Sequence, residues 1–141
     1  MTQIKTVAVS CPKCKADQEM KVWDALNATL NPAEKALLFE GRMNVFVCQT
    51  CGHKALLSVP LLYYDMERVF AVYYFPAEYV NDDDFIRNWV TPEAHLRLPQ
   101  IPQDQVPEFM ADPHIVFSMQ ELLNYVLFRE RVADLHRQEQ E

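Results

Sequence analysis

Cys11-Pro12-Lys13-Cys14 and Cys48-Gln49-Thr50-Cys51-Gly52-His53 hold all four cysteines of the chain. In Cys-x-x-Cys the backbone can turn so that both sulfurs point at one metal. Zinc prefers four ligands in a tetrahedron and binds thiolate well, so one pair supplies half a site and a second pair the rest. The two stretches read as the knuckles of one four-cysteine zinc site. Its ligands are Cys11, Cys14, Cys48 and Cys51, with one Zn²⁺ per chain. Gly52 follows the second pair, where a positive φ is often needed and glycine adopts it without steric cost. Lys15 stands at the matching place after the first pair. Four thiolates and Zn²⁺ sum to a charge of minus two, which the nearby Lys13, Lys15 and Lys54 offset.

Two other readings use the same cysteines. Cys-Pro-x-Cys also occurs in thiol–disulfide exchange, where the pair follows a strand and opens a helix with a lowered thiol pKa. Here Lys15, Ala16 and Asp17 lead into strand-like sequence, and the second pair would go unexplained. Structural disulfides are the other alternative. His53 offers an imidazole in place of one cysteine, against its reading as a surface residue at the start of a strand.

A chain of 141 residues is one domain, or one domain with an appendage. Hydrophobic residues make up 50%, enough for a real core. No apolar run reaches the roughly 18 residues of a membrane span. Met1-Thr2-Gln3-Ile4-Lys5 lacks the apolar stretch of a signal peptide. The expectation is cytoplasmic residence, no membrane, and paired cysteines that hold metal rather than disulfides. The formal net charge is −7, and it is uneven. Residues 1–60 carry +2 and residues 61–141 carry −9, with every lysine in the first part. Phosphate neutralisation needs a basic patch. Only a weak lysine cluster near the knuckles offers one, so the charge argues against nucleic acid.

Outward from the knuckles, residues 4–10 alternate as a strand delivering Cys11. Residues 17–23 return antiparallel, with Met20, Val22 and Leu26 on one face and Trp23 on the other unless a bulge intervenes. Asn31-Pro32-Ala33-Glu34 starts a helix, with Asn31 as cap and Pro32 at the first helical position. It runs through Phe39 or Glu40 and stops at Gly41. This insertion explains why the cysteine pairs lie further apart than in a plain ribbon. Residues 43–48 and 54–59 read as strands into and out of the second knuckle. Leu61 to Phe75 reads as a hairpin turning near Asp65–Arg68, with its second strand partly covered on both faces.

Several of these features together resemble the CpXC domain family. They are Cys11-Pro12-Lys13-Cys14, the Asn-Pro-started helix, Asn44 ahead of Cys48, Cys51-Gly52, and Leu61-Leu62-Tyr63-Tyr64-Asp65. The resemblance covers roughly residues 7–76 and is looser beyond. It implies metal binding by Cys11, Cys14, Cys48 and Cys51, and it brings no established activity. Gln49 departs from the doubled motif, where a second proline would sit. That proline stiffens a turn and is no ligand.

Residues 81–90 read as a short helix whose leading aspartates favour the helix dipole. Asp82, Asp83 and Asp84 lack the spaced ligands and central glycine of a calcium loop. Thr91-Pro92-Glu93 begins a further turn. Pro99, Pro102, Pro107 and Pro113 mark an extended connector. Ser118-Met119-Gln120-Glu121 is a capping box opening a helix to about Arg137. The fold class expected is α+β: a zinc-ribbon-like antiparallel β core with an inserted short helix near 32–40 and a C-terminal helical extension. The units are a zinc-bearing domain (1–97), a proline-rich connector (98–117) and a C-terminal helix (118–141). That helix is apolar nearly all round in its first half. Met119, Leu122, Val126 and Ala133 make one line, and Tyr125, Phe128, Val132 and Leu135 another. It packs on the domain or against a partner, a second copy included.

Three function classes follow. The first is a zinc-stabilised module that binds another protein through knuckles and strands. The second is a nucleic-acid-associated ribbon protein. The third is an enzyme. A closed four-sulfur zinc has no open position for water or substrate, so catalysis would come from elsewhere. Tyr63, Tyr64, Asp65 and His95 are the polar candidates, and none makes a recognisable catalytic spacing. No catalytic residue is assigned.

Overall fold

β1 (Gln3–Ser10) and β2 (Asp17–Asn27) form a long antiparallel hairpin around the first knuckle. A computed structural model describes residues 2–87, 108–111 and 113–140. Among the described residues, five strands make the main sheet in the order β1-β2-β5-β6-β7, where β5 is Leu61–Asp65, β6 is Phe70–Tyr74 and β7 is His114–Val116. A separate ribbon pairs β3 (Val45–Val47) with β4 (Lys54–Leu56) around the second knuckle. The helices are α1 (Pro32–Phe39), α2 (Asp83–Arg87), α3 (Glu108–Ala111) and α4 (Met119–Gln140). The α+β class stands. The main sheet is mixed rather than antiparallel throughout, because β2 runs parallel to β5 and β6 parallel to β7. Parallel neighbours need a long crossover. Residues 28–60, carrying α1 and the ribbon, supply the first one.

The β1–β2 register slips between Gln3 and Ile4, since Gln3 faces Ala25 while Ile4 faces Trp23. Asp24 is therefore the extra residue of a β-bulge. A bulge exchanges the faces that follow it. Leu26 consequently lies with Trp23 in the core beneath α4, and not with Met20, which packs near the cysteines. Every residue of β5 and β6 is buried. Leu61, Tyr63, Phe70 and Val72 pack on one face with Leu122 and Val126 of α4. Leu62, Tyr64, Ala71 and Tyr73 pack on the other with Met110 of α3.

Asp65 ends β5 and builds the turn. Its Oδ1 accepts the amides of Glu67 (3.0 Å) and Arg68 (2.8 Å), and its Oδ2 meets the Arg68 guanidinium at 3.1 Å. Burial pushes its pKa up. The Arg68 amide and guanidinium, with Thr29, outweigh that and hold the carboxyl below its usual value. Val69 closes the turn at φ 58°, an unusual conformation for a β-branched residue.

In α1 the sequence reading is half right. Pro32 opens the helix, but Asn31 makes no side-chain cap. Its Oδ1 accepts the Thr2 hydroxyl instead. Asn27 holds the approach to the helix, accepting the amides of Thr29 and Leu30. At the other end Gly41 has φ 71°, its amide donates to Leu38 O, and Arg42 N donates to Leu37 O. This is a Schellman stop. An added Cβ at Gly41 would meet nothing within 4 Å, so substitution there costs conformational strain alone. Gly41→Val is expected to cost about 2 kcal/mol and Gly41→Ala about 1 kcal/mol, read by urea melts.

Ser118 caps α4, its Oγ accepting the Glu121 amide at 3.1 Å. Leu122 and Val126 are fully buried, while Phe128, Val132 and Leu135 are exposed. Met119, Leu122 and Val126 of the first apolar line face the sheet, and of the second only Tyr125 is drawn in. Within the stretch read as a connector, Glu108–Ala111 is helical and His114–Val116 joins the sheet as an edge strand directly after Pro113. Proline is tolerated there because an edge strand leaves one row of backbone groups unpaired. The expected helix over 81–90 is seen as Asp83–Arg87. Asp82 caps it through the Phe85 amide, and Arg87 pairs with Asp84. Residues 88–90, the turn at 91–93, His95, Pro99, Pro102 and Pro107 lie outside the described residues. No helix among the described residues is long and apolar enough to cross a membrane.

Candidate metal centre

The two knuckles have the same backbone design. In the first, Lys15 N donates to Cys11 O (2.9 Å) and Cys11 N to Ala16 O (2.9 Å). In the second, Gly52 N donates to Cys48 O (2.9 Å) and Cys48 N to His53 O (2.8 Å). The residue after each second cysteine has positive φ, 67° at Lys15 and 76° at Gly52. Each turn also aims an amide at its first sulfur: Cys14 N at Cys11 Sγ (3.5 Å) and Cys51 N at Cys48 Sγ (3.4 Å). Lysine is the poorer residue for this conformation, which costs a side-chain-bearing residue about 1–2 kcal/mol. Lys15→Gly is therefore expected to raise stability by about 1 kcal/mol and Gly52→Ala to lower it by about the same, in denaturant melts of metal-loaded protein.

All four sulfurs lie within 4.8 Å of one another. Cys11 Sγ is 3.6 Å from Cys51 Sγ, and Cys14 Sγ is 3.5 Å from Cys48 Sγ. Zinc–sulfur bonds of about 2.3 Å in a tetrahedron put sulfurs about 3.8 Å apart, so the donor set fits one ion. A disulfide needs about 2.0 Å, and all four cysteines are free. Cys11 and Cys48 are buried, whereas Cys14 and Cys51 reach the surface. His53 is not in the cluster, and its backbone carbonyl is what serves the knuckle.

The amide bonds act on the thiols. The Cys51 amide is the main cause that brings Cys48 down to about 6, against burial. The Cys14 amide lowers Cys11 in the same way. Cys14 goes the other way: the Ala16 amide lowers it, but burial and the neighbouring sulfurs carry it up to about 12. Metal binding requires thiolates and so releases protons, which makes affinity fall as pH falls.

What positions the ribbon was not visible in the sequence. β3 and β4 make no strand pairing with the main sheet. Two side-chain amides take its place. Gln18 on β2 donates Nε2 to Val47 O (2.9 Å) and accepts the Gln49 amide on Oε1 (2.9 Å). Asn44 accepts Trp23 N on Oδ1 (2.8 Å) and donates Nδ2 to Trp23 O (2.9 Å). Asn44 is buried, sits at φ 56°, and its carbonyl accepts Leu57 N. Each amide imitates a neighbouring strand, and Asn44 does so at the residue before the bulge. Phe46, Val9, Ala16, Met20 and Leu57 fill the apolar space around Cys11 and Cys48.

The described enzyme candidates are not brought together. Tyr63 and Tyr64 point into opposite cores, and Asp65 is spent on its turn. Lys13 and Lys54 are exposed, and Lys15 Nζ donates to Pro12 O. Neither a curated protein nor a solved structure matches the chain. A family model described as "CpXC protein" matches residues 9–137, which carries the likeness well past the hairpin and through most of α4. With two Cys-x-x-Cys knuckles converging inside that match, the chain belongs to the CpXC family.

Proposed function

We propose that the four cysteines hold one Zn²⁺ as a structural centre, and that the protein is an interaction module whose recognition surface is the ribbon the metal holds. The convergence of four sulfurs within 4.8 Å carries the metal part of this reading. Four sulfurs complete a tetrahedral shell and leave no position for substrate, which favours a structural over a catalytic ion. A hard cation such as Mg²⁺ or Ca²⁺ takes oxygen ligands, so the donor set selects a thiophilic metal. Reduced thiols of this kind fit a cytoplasmic setting.

The interaction part rests on the outward side of the ribbon. Val47 and Leu56 are 46% and 48% exposed there, beside Lys54. Such a half-exposed apolar strip, held rigid beside the metal, suits an apolar protein segment. Elemental analysis of protein purified without added metal tests the centre, with one zinc per chain expected. Pull-down from native lysate with wild type and Val47→Asp/Leu56→Asp tests the surface. Partners lost in the double variant support it, and an unchanged partner set removes it. Metal-free folded protein, or a cycling disulfide, would return the thiol-exchange reading.

A further inference from the structure

We infer that the groove between the β5–β6 turn and the second half of α4 binds a small oxyanion-bearing ligand with a flat apolar body, and that Arg129 receives its carboxylate or phosphate. This is independent of the metal centre and shares no residue with it.

Arg129 lies against two aromatic rings that meet edge to face. Its guanidinium carbon lies 5.3 Å from the Phe70 ring centroid and 6.0 Å from that of Tyr125. Nη1 donates to the Tyr125 hydroxyl at 3.3 Å. Tyr125 in turn stacks on His114, with centroids 4.2 Å apart and planes 4° from parallel. Five N–H donors belong to a guanidinium, and one of them is used here.

Arg42, Arg68, Arg87 and Arg137 each meet a carboxylate, respectively Glu40, Asp65, Asp84 and Asp134. No carboxylate pairs with Arg129 among the described residues. Arg131 lacks an ion pair too, but it is exposed, whereas Arg129 is half-buried and oriented.

Arg129 stands where two concavities meet. One, of about 390 Å³, is lined by Arg68, Arg129, Arg137 and His136, with Glu67 opposite. The other, of about 590 Å³, is lined by Phe70, Phe109, His114, Tyr125 and Arg129. Both volumes fall in the range of small-molecule sites. The first wall carries three guanidiniums, of which Arg68 and Arg137 are already paired with carboxylates and Arg129 is not. Its acids are accounted for: Asp65 and Asp134 are paired with Arg68 and Arg137, Glu130 with Lys35, and Glu67 remains. In the second, Phe70 is buried and Tyr125 is covered by His114, so the exposed His114 ring and the half-buried Phe109 are what it presents. The guanidinium fork matches two oxygens of a carboxylate or phosphate, and the exposed His114 ring offers a flat neighbour beside it.

The turn itself shows strain. Val69 adopts φ 58° while half-exposed, and it separates Arg68, folded back on Asp65, from Phe70, which supports Arg129. Strain retained in a short turn fits a geometry held for a purpose.

The test is a titration of ¹⁵N-labelled full-length protein with benzoate, phenyl phosphate and inorganic phosphate. The Arg129 Nε–Hε signal and the amides of Phe70, His114 and Tyr125 are followed. Saturable shifts with an organic probe are expected, weakened about tenfold or more in Arg129→Gln. Arg129→Lys, which keeps the charge but not the fork, should fall between, and it serves if the glutamine variant misfolds. Saturation by benzoate assigns a carboxylate ligand, and saturation by phenyl phosphate alone assigns a phosphate. Three outcomes overturn the inference: no saturable shift with any probe, equal affinity in both variants, or binding of inorganic phosphate alone.

Discussion

Cys48→Ser is expected to abolish metal binding and to lower the melting temperature by roughly 15 °C or more. Structural zinc contributes about 10–16 kcal/mol of apparent binding free energy in small peptides, comparable with the roughly 5–15 kcal/mol that holds a whole domain together. The damage should be local first. The cysteines have their own small apolar cluster, separate from the two clusters that flank β5 and β6. Hydrogen exchange after chelation should therefore accelerate in residues 9–20 and 43–57 while 61–65 and 70–74 stay protected. Uniform acceleration across both regions would show that the metal holds the entire fold, and no acceleration would show that it holds nothing.

Asn44→Ala should cost about 3–4 kcal/mol without touching a ligand. It removes two hydrogen bonds and leaves the N–H and C=O of Trp23 without their partner, at about 1–3 kcal/mol for each buried group left unsatisfied. It also puts alanine at φ 56°, where asparagine is better tolerated. Asn44→Gly isolates the first effect, because glycine accepts the backbone and loses only the clamp. Both variants, melted in urea with metal bound, should fall well below wild type, with glycine the less affected. A loss under about 1 kcal/mol in both would mean that water replaces the amide at Trp23.

The sequence was legible where a residue's own backbone decides the outcome. Gly41 and Gly52 announced left-handed positions, and Ser118 announced a helix start. The cysteine spacing announced the convergence of four sulfurs. It was illegible where the deciding partner lies far along the chain. Gln18 looks like an ordinary surface amide until Val47 is brought beside it, and Asn44, although part of the family pattern, shows no role until Trp23 is. Asn31 has every local mark of a cap, yet Thr2, 29 residues away, takes its side chain. The bulge at Asp24 hides because one extra residue leaves the apolar pattern readable in either phase, and this moved Leu26 to the Trp23 face. Strand direction is equally invisible, because alternation is the same for parallel and antiparallel neighbours. β7 was concealed by the prolines around it, whereas α4 beyond it was legible from its capping box and its apolar lines.

The two parallel pairings carry a kinetic consequence. β1–β2 and β5–β6 are hairpins whose partners are near in sequence, so they can form early and independently. Joining β2 to β5 must wait for residues 28–60 to close, and joining β6 to β7 for residues 75–113. Long closures add little to the equilibrium cost but slow the search for the native pairing. Substitutions that weaken the Asp65–Val69 turn should thus retard refolding, whereas substitutions in β7 should chiefly hasten unfolding, as stopped-flow chevrons of such variants would record. During that delay the chain presents paired hairpins with bare edges, and its yield in the cell depends on how quickly the crossovers bring those edges together.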